Sequence, residues 1–359
     1  MSSSIISLSK QLISIPSTKE NPQALDQVLT IAKRELADFT VEEFSKDGVK
    51  SLLAYSGKIR PKRFRIILNA HLDVIPGKDN QYKPLEKDEK LYGRGAYDMK
   101  AAAAVEILVF KELAKKVSYP LGLQLVTDEE IGGFLGTKHQ VEKSVRADFT
   151  IAGENTDLDI INRAKGIVWA KITTSGKAAH GAYPWLGDNA IIKMAKIIET
   201  IQKNYPEPKK EIWATTINVS VIDSTNKTFN KVPDDCSIML DIRYIPEDDK
   251  TIIPYLKSFT KNGIQVDIVL KEHCYMTDKN NSFVVFLNRS INSVLGKPAA
   301  ILPHHGGSDI RHYNQVGDKG VEFGPVGQGH HTDNEWVDIK SLEDYYLILK
   351  DFLGGPTGN

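Results

Sequence analysis

The sequence has little cysteine, no net charge and no long apolar run, and each shortage excludes a class of protein. Its two cysteines, Cys236 and Cys274, are too few for a disulfide framework and lack the spacing of a metal-binding pair. Lysine plus arginine and aspartate plus glutamate both total 46, so no global field attracts nucleic acid or an anionic membrane. No stretch approaches the ~20 apolar residues of a membrane-spanning helix. We therefore expect a cytoplasmic protein with free thiols and without nucleic acid or membrane partners.

Several familiar enzyme motifs are also missing. The chain has no His-Glu-x-x-His helix, no Gly-x-Ser-x-Gly turn and no phosphate-binding loop that ends in Gly-Lys-Ser/Thr. The N-terminal residues lack a basic segment followed by an unbroken apolar core, so no signal peptide is predicted. At 359 residues, two domains are expected.

The first part of the chain alternates predicted strands with predicted helices. Apolar runs at Phe64–Ala70, Leu121–Thr127 and Phe149–Ala152 indicate buried strands, and the Ala-rich segment Met99–Leu113 favours a helix. A further strand is predicted at Val321–Phe323. This order predicts the α/β class, with a mostly parallel sheet covered by helices on both faces.

The pattern changes near residue 166. The segment Gly166–Thr174 alternates apolar and polar residues, which is typical of a half-exposed strand. Helices at Asn189–Gln202 and Thr251–Asn262 and further strands then follow. We predict a smaller α/β domain over residues 166–274 with one open sheet face, inserted into a discontinuous larger domain formed by residues 1–165 and 275–359.

Metal-seeking side chains stand where the apolar runs break. Ligand sites in open α/β sheets gather at the carboxyl ends of strands. Two imidazoles and three carboxylates of this kind would fill two neighbouring zinc sites that share the aspartate. The five residues are His71, Asp98, Glu130, Glu154 and His331. The adjacent Glu129 remains free to act as a general base.

Each motif also has a structural interpretation that the sequence leaves open. His71 and Asp73 form a His-x-Asp pair in which Asp73 would orient the ring, but a turn would show the same letters. Asp98 could cap the helix that follows it, and Glu129–Glu130 could form a solvated acidic turn. His330 competes with His331 as the late ligand, and Glu335 is a candidate partner for the His331 ring. His304 and His305 could contact substrate or add a second metal site.

Taken together, these motifs resemble the dinuclear zinc family of aminoacylase, acetylornithine deacetylase, succinyl-diaminopimelate desuccinylase and glutamate carboxypeptidase. That family has His-x-Asp, Gly-Arg-Gly-x-x-Asp-Met-Lys, Glu-Glu, Gly-Glu and a late His in this order, and all five occur here. The resemblance runs from Leu12 to Trp336 and is strongest for the desuccinylase and deacetylase branch. The chain departs from the family at Asn155, where Pro is usual, and at Ala101, where Gly is common.

The resemblance implies a role for each residue. His71 and Glu154 would hold one zinc, Glu130 and His331 the other, with Asp98 between them and Glu129 as the base. His331 is preferred to His330 because the family histidine stands four residues before a glutamate. The inserted region resembles a lid and dimerisation domain, in which His180 reaches across a homodimer to the oxyanion. The implied substrate-binding residues are Arg243, Asn230, Gly306, Gly307 and Ser308.

The implied function is hydrolysis of the amide bond of an N-succinyl or N-acetyl amino acid by a zinc-bound hydroxide. Two Zn²⁺ per chain are expected, although Co²⁺ or Mn²⁺ could serve. A dipeptidase or carboxypeptidase of the same family is the alternative. An inactive binding homologue is disfavoured because no ligand and no base is missing.

Overall fold

A computed structural model describes residues 2–355 of the chain. The helices in this part are α1 (Ser2–Ile13), α2 (Pro22–Glu35), α3 (Lys100–Leu113), α4 (Thr137–Glu142), α5 (Ala190–Asn204), α6 (Ile252–Lys257), α7 (Ser282–Leu295), α8 (Ile310–Asn314) and α9 (Ile339–Gly354). The strands are β1 (Thr40–Lys46), β2 (Val49–Tyr55), β3 (Phe64–His71), β4 (Leu85–Lys87), β5 (Lys90–Tyr92), β6 (Leu121–Val126), β7 (Ala147–Ala152), β8 (Ile160–Ala164), β9 (Gly166–Ser175), β10 (Ala179–His180), β11 (Thr216–Asp223), β12 (Lys231–Val232), β13 (Asp235–Tyr244), β14 (Ile264–Glu272), β15 (Tyr275–Met276), β16 (Ile301–His304), β17 (Lys319–Glu322), β18 (Gly327–Gln328) and β19 (Trp336–Asp338).

The described chain divides into two compact units. The first comprises residues 1–163, 276–303 and 308–359, of which residues 2–355 are described, and the second comprises residues 164–275 and 304–307. The first unit is therefore discontinuous, and the second consists mainly of the segment between β8 and β15.

The first unit is built on a mixed sheet whose centre is parallel. The strand order is β1-β2-β6-β3-β7-β17-β8-β15, and β16 also pairs with β8. The central pairs are parallel: β6 with β3, β3 with β7, and β7 with β17. The outer pairs are antiparallel: β1 with β2, β2 with β6, and β17 with β8. The expected α/β class with a mostly parallel central sheet is confirmed.

Helix α3 packs centrally in this unit. Nearly every residue from Lys100 to Leu113 is buried, because short alanine side chains let neighbouring elements approach the helix on several sides. It contacts α1, α9 and β3. The buried Lys100 ammonium donates to the Ile15 carbonyl at 2.7 Å, which gives this charge one polar partner inside the core.

Local capping defines several helix ends. The Asn21 side chain accepts a hydrogen bond from the Ala24 amide at the start of α2, where Pro22 takes the first helical position. Asp338 accepts from the Ser341 amide in the same way at the start of α9. Helix α7 ends at Gly296, whose φ of 71° lies in the left-handed region that glycine tolerates best.

The second unit has a four-stranded antiparallel sheet in the order β11-β13-β9-β14. Val168, Ala170 and Ile172 point to a core that includes residues of α5 and α6. Residues on the other face stay open, and Trp169 and Met239 are each 47% exposed. The predicted small α/β sheet with one open face is confirmed.

Helix α6 is shorter than expected and ends at Lys257 instead of Asn262. The next amides, of Phe259 and Thr260, bond back three residues instead of four, so the chain tightens into a turn before β14. Within residues 2–355, no helix is long and apolar enough to cross a membrane.

Candidate metal centre

His71 is the last residue of β3, a strand whose side chains are almost all buried. Its ring is 1% exposed, and Nδ1 lies 3.0 Å from the Asp73 carbonyl oxygen and 3.6 Å from the Asp73 carboxylate. Nε2 lies 3.0 Å from Asp98 Oδ1 and 4.0 Å from Glu154 Oε2. The Nδ1 contacts turn Nε2 toward the two carboxylates, which is the orientation a metal-ligating ring needs.

Asp98 lies in the loop before α3, and this loop is held by Glu335. The Glu335 carboxylate accepts from the Tyr97 and Asp98 amides at 3.0 and 3.1 Å, and its other oxygen pairs with Arg94 at 2.8 Å. Glu335 was a candidate partner for the His331 ring, but both of its oxygens are engaged with the Asp98 loop instead. Glu335 therefore acts on the backbone that presents Asp98.

Glu130 and His331 approach the other side of Asp98. His331 Nε2 lies 3.1 Å from Glu130 Oε2 and 3.3 Å from Asp98 Oδ2. His331 has a φ of 61°, an uncommon conformation for a residue with a Cβ. The ring is 47% exposed, so this side of the centre is open to solvent, whereas His71 is buried.

Two groups of metal-type ligand atoms result. Among residues 2–355, the sets whose atoms all lie within 4.8 Å of one another are His71–Asp98–Glu154 and Asp98–Glu130–His331. Asp98 belongs to both, with one oxygen facing each histidine. His330 belongs to neither. One imidazole nitrogen and two carboxylates in each group form a donor set that suits zinc and related divalent cations.

The charges of the centre also suit a cation. Burial would raise the pKa of Asp98, but the hydrogen bonds from the His331 and His71 rings hold it below its usual range. The hydrogen bonds with Asp98 and Glu130 raise the pKa of His331 to about 10. Burial raises the pKa of Glu154 well above its usual value. A divalent cation bound between these groups would offset the clustered negative charge.

The chain matches Peptidase family M20/M25/M40 over residues 67–354, a span that contains every residue of both groups. It belongs to this family. A succinyl-diaminopimelate desuccinylase of Nitratiruptor sp. is 29% identical over 97% of this chain and 99% of the relative. A succinyl-diaminopimelate desuccinylase of Wolbachia pipientis wMel is 27% identical over 97% and 92%. The M20 chain is thus a hydrolase that acts on amide or peptide bonds.

Solved structures share the fold of this M20 chain. Aminopeptidase PepT of Bacillus cereus superposes with a TM-score of 0.80 at 18% identity and covers 98% of both chains. A tripeptidase of Staphylococcus aureus gives a TM-score of 0.78 at 21% identity, again over 98% of both chains. At these identities the likeness concerns the fold alone.

Asp73 has a contact that the sequence did not indicate. Its carboxylate accepts from the Glu129 amide at 3.3 Å and from the Glu130 amide at 3.0 Å, and it is 3% exposed. Burial raises the pKa of Asp73 to about 7, and the nearby His71 opposes that rise. Asp73 therefore connects the strand that carries His71 to the short 3₁₀ turn Glu129–Ile131.

His180 and Asn230 lie in the second unit on a short two-stranded ribbon. Strand β10 pairs with β12, and the Gly181 amide donates to the Asn230 carbonyl at 2.7 Å. The His180 side chain accepts from the Ala182 amide through Nδ1 at 3.1 Å, which leaves the ring proton on Nε2 when the ring is neutral. Both His180 and Asn230 are exposed, so the ribbon presents them to solvent.

The remaining predicted substrate residues are divided between the two units. Arg243 lies on β13, where Nε donates to both Asp241 oxygens at 3.2 Å. Gly306 and Gly307 belong to the second unit and Ser308 to the first. Ser308 is buried, and its hydroxyl accepts from the Ile310 amide at 3.3 Å. A substrate role for these residues stays a prediction.

Sequence reasoning missed Arg94, Arg311 and His312. The Gly-Arg-Gly motif contains Arg94, but no short-range signal connects it to a glutamate 241 positions away. Arg311 and His312 stand shortly after Gly306, Gly307 and Ser308, but no local pattern marks their contacts with the Gly132 carbonyl.

Proposed function

We propose that the chain is a dinuclear zinc amidohydrolase that cleaves the amide bond of an N-acyl amino acid. The observation that carries the proposal is the pair of ligand groups that share Asp98. In the proposed assignment, His71 and Glu154 complete one zinc site, and Glu130 and His331 complete the other. Co²⁺ or Mn²⁺ would fit the same donors.

Zinc would supply Lewis acidity toward a water molecule and toward the scissile carbonyl. Glu129 takes the proton from the attacking water and returns it to the leaving amine. Burial raises the pKa of Glu129 well above its usual value, and the repulsion from Asp309 and Glu130 acts in the same direction. Glu129 belongs to neither ligand group, so its carboxylate is available for both proton transfers.

His180 is the proposed hydrogen-bond donor to the oxyanion. With its proton on Nε2, the neutral ring can donate to the carbonyl oxygen as negative charge develops there. One such donor typically contributes ~100- to 1000-fold in turnover. Because His180 lies on an exposed ribbon, we propose that it acts across a homodimer formed through the second unit, as the resemblance implies. Arg243 would bind the substrate carboxylate, for which a guanidinium fork is well matched.

The desuccinylase relatives favour an N-succinyl amino acid as substrate, with an N-acetyl amino acid next. The two cysteines are free, Cys236 being buried, which fits the proposed cytoplasmic location. A peptidase specificity is the second candidate, favoured by the fold shared with the tripeptidase and with PepT.

The deciding experiment measures amine release by zinc-loaded protein from N-succinyl amino acids, N-acetyl amino acids, dipeptides and tripeptides. Glu129→Gln is the matched control, because it keeps the side-chain shape and removes the base. We expect turnover of the N-acyl amino acids that Glu129→Gln lowers at least ~100-fold. Turnover of peptides alone would establish the second candidate. Two bound metals without turnover on any substrate would indicate a binding protein.

A further inference from the structure

The turn that carries Glu129 and Glu130 ends at Gly132, whose carbonyl oxygen is contacted by two buried side chains. Arg311 Nη2 donates to the Gly132 oxygen at 2.6 Å, and His312 Nε2 lies 3.0 Å from the same atom. Arg311 and His312 are 4% and 1% exposed. A carbonyl oxygen has two lone pairs, so it can accept both hydrogen bonds at once. For this contact the His312 ring must carry its proton on Nε2.

The opposite end of the same turn is held by Asp73. Its carboxylate accepts the amides of Glu129 and Glu130, as described above. Between these two attachments the turn closes on itself, because the Gly132 amide donates to the Glu129 carbonyl at 2.7 Å. The backbone of the proposed base is thus fixed by hydrogen bonds from both sides.

The packing around the turn leaves it little space to shift. A Cβ added to Gly133 would lie 1.9 Å from Asp309 Oδ1 and 3.2 Å from His312 Nε2. Asp309 is itself held by the Thr137 hydroxyl at 2.5 Å. Arg311 also donates through Nη1 to the Ser308 carbonyl at 2.9 Å. The guanidinium therefore joins Ser308 to the turn that carries Glu129.

We propose that Arg311 and His312 are positioning residues that hold the Glu129–Glu130 turn through the Gly132 carbonyl. The catalytic meaning of this inference rests on the proposed function, since Glu129 needs a fixed position only if it acts as the base. A displacement of about 1 Å at a reacting group can reduce turnover ~100-fold. Neither residue touches the groups assigned to the metals, so the loss should appear in kcat.

The test compares His312→Leu with His312→Gln. Leucine fills the space without a donor, whereas glutamine restores an N–H near the position of Nε2. His139→Leu is the matched control, because His139 lies in the same unit and pairs with Glu142 on α4. Arg311→Lys, with Arg60→Lys as its control, tests the guanidinium. Arg60 likewise donates to a carbonyl, that of Lys143 at 3.0 Å, but at the surface.

Two readouts separate this inference from the proposed function. The first is hydrogen exchange of the backbone amides of residues 128–133. We expect faster exchange in His312→Leu, recovery in His312→Gln, and no change in His139→Leu. Unchanged exchange in His312→Leu, or equally fast exchange in both His312 variants, would overturn the inference. This readout needs no substrate, so it holds even if the protein turns over none.

The second readout is the split between kcat and KM on any substrate that the wild-type protein cleaves. We expect His312→Leu and Arg311→Lys to lower kcat about 10- to 100-fold with KM within about twofold, and His312→Gln to regain most of the loss. A change confined to KM would overturn the positioning role. Wild-type inactivity combined with the expected exchange pattern would refute the proposed function alone.

Discussion

The ion pair between Arg94 and Glu335 allows a sharp test of how the Asp98 loop is held. The two side chains are 4% and 1% exposed, and their charged atoms lie 2.8 Å apart. Glu335→Gln keeps an oxygen that can accept the Tyr97 and Asp98 amides but removes the negative charge. The variant therefore leaves the Arg94 guanidinium buried without its counter-ion.

Removal of one partner of a buried ion pair typically costs about 3–5 kcal/mol. For a unit of this size, each kcal/mol lowers the melting temperature by roughly 2–4 °C, so a shift of about 6–20 °C is expected. The assay measures thermal unfolding of the metal-free protein, monitored by near-ultraviolet circular dichroism. The control is Glu86→Gln, which breaks the Lys10 pair at 2.7 Å with side chains 37% and 49% exposed. That surface pair should contribute at most about 1 kcal/mol.

If Glu335→Gln melts within 2–3 °C of the Glu86→Gln control, the argument from burial is wrong. A large shift together with full zinc binding would mean that Glu335 stabilises the fold without placing Asp98. We expect a large shift and weaker binding of both metals, because the Asp98 amide is one of the groups that the Glu335 carboxylate holds.

Four further predictions follow from the same structure. Asp98→Ala should lose both zinc ions, whereas Glu154→Ala should retain about one per chain, as measured by elemental analysis after dialysis. A mixture of Glu129→Gln and His180→Ala chains should recover part of the wild-type turnover if His180 acts across a dimer, and no recovery would argue against that arrangement. Gly133→Ala should reduce soluble yield or melting temperature for two reasons. Its φ of 63° is unfavourable for alanine, and the added methyl group would clash with Asp309. Burial raises the pKa of Glu106 well above its usual value, so the wild-type protein should lose stability as pH rises from about 5 toward the folded-state pKa. Glu106→Gln should lose less stability over this range than the wild type, although Asp73, Glu129 and Glu154, whose pKa values burial also raises, still titrate. Unfolding free energies of both proteins at pH 5 and pH 8 would reveal the difference.

The main strands were predictable because their apolar runs are long and end abruptly. Strand β3 was expected at Phe64–Ala70 and extends one residue further, to His71. Strand β17 was expected at Val321–Phe323 but lies at Lys319–Glu322. Its bounds follow from parallel pairing with β7, in which Lys319 stands opposite Phe149. Such pairing depends on a partner ~170 residues away, which local hydrophobic periodicity does not show.

The candidate ligands were predictable for a different reason. Histidine and carboxylate residues at the ends of buried strands are costly unless they bind something, so their positions in the sequence already indicate a site. His71, Asp98 and Glu154 meet within one such group, as the order of the motifs suggested. Their metal ligation and the identity of the metal remain proposals.

The type of chemistry this chain can perform is readable from its residues alone, because side-chain identity sets which atoms can ligate a cation or accept a proton. Which groups hold those atoms in place depends on how the chain folds. Asp73 accepts amides of the Glu129–Glu130 turn, and His312 contacts the Gly132 carbonyl 180 positions away. These contacts join backbone groups to distant side chains. Backbone amides and carbonyls are the same at every position, so no sequence pattern marks the ones that a buried side chain will bind.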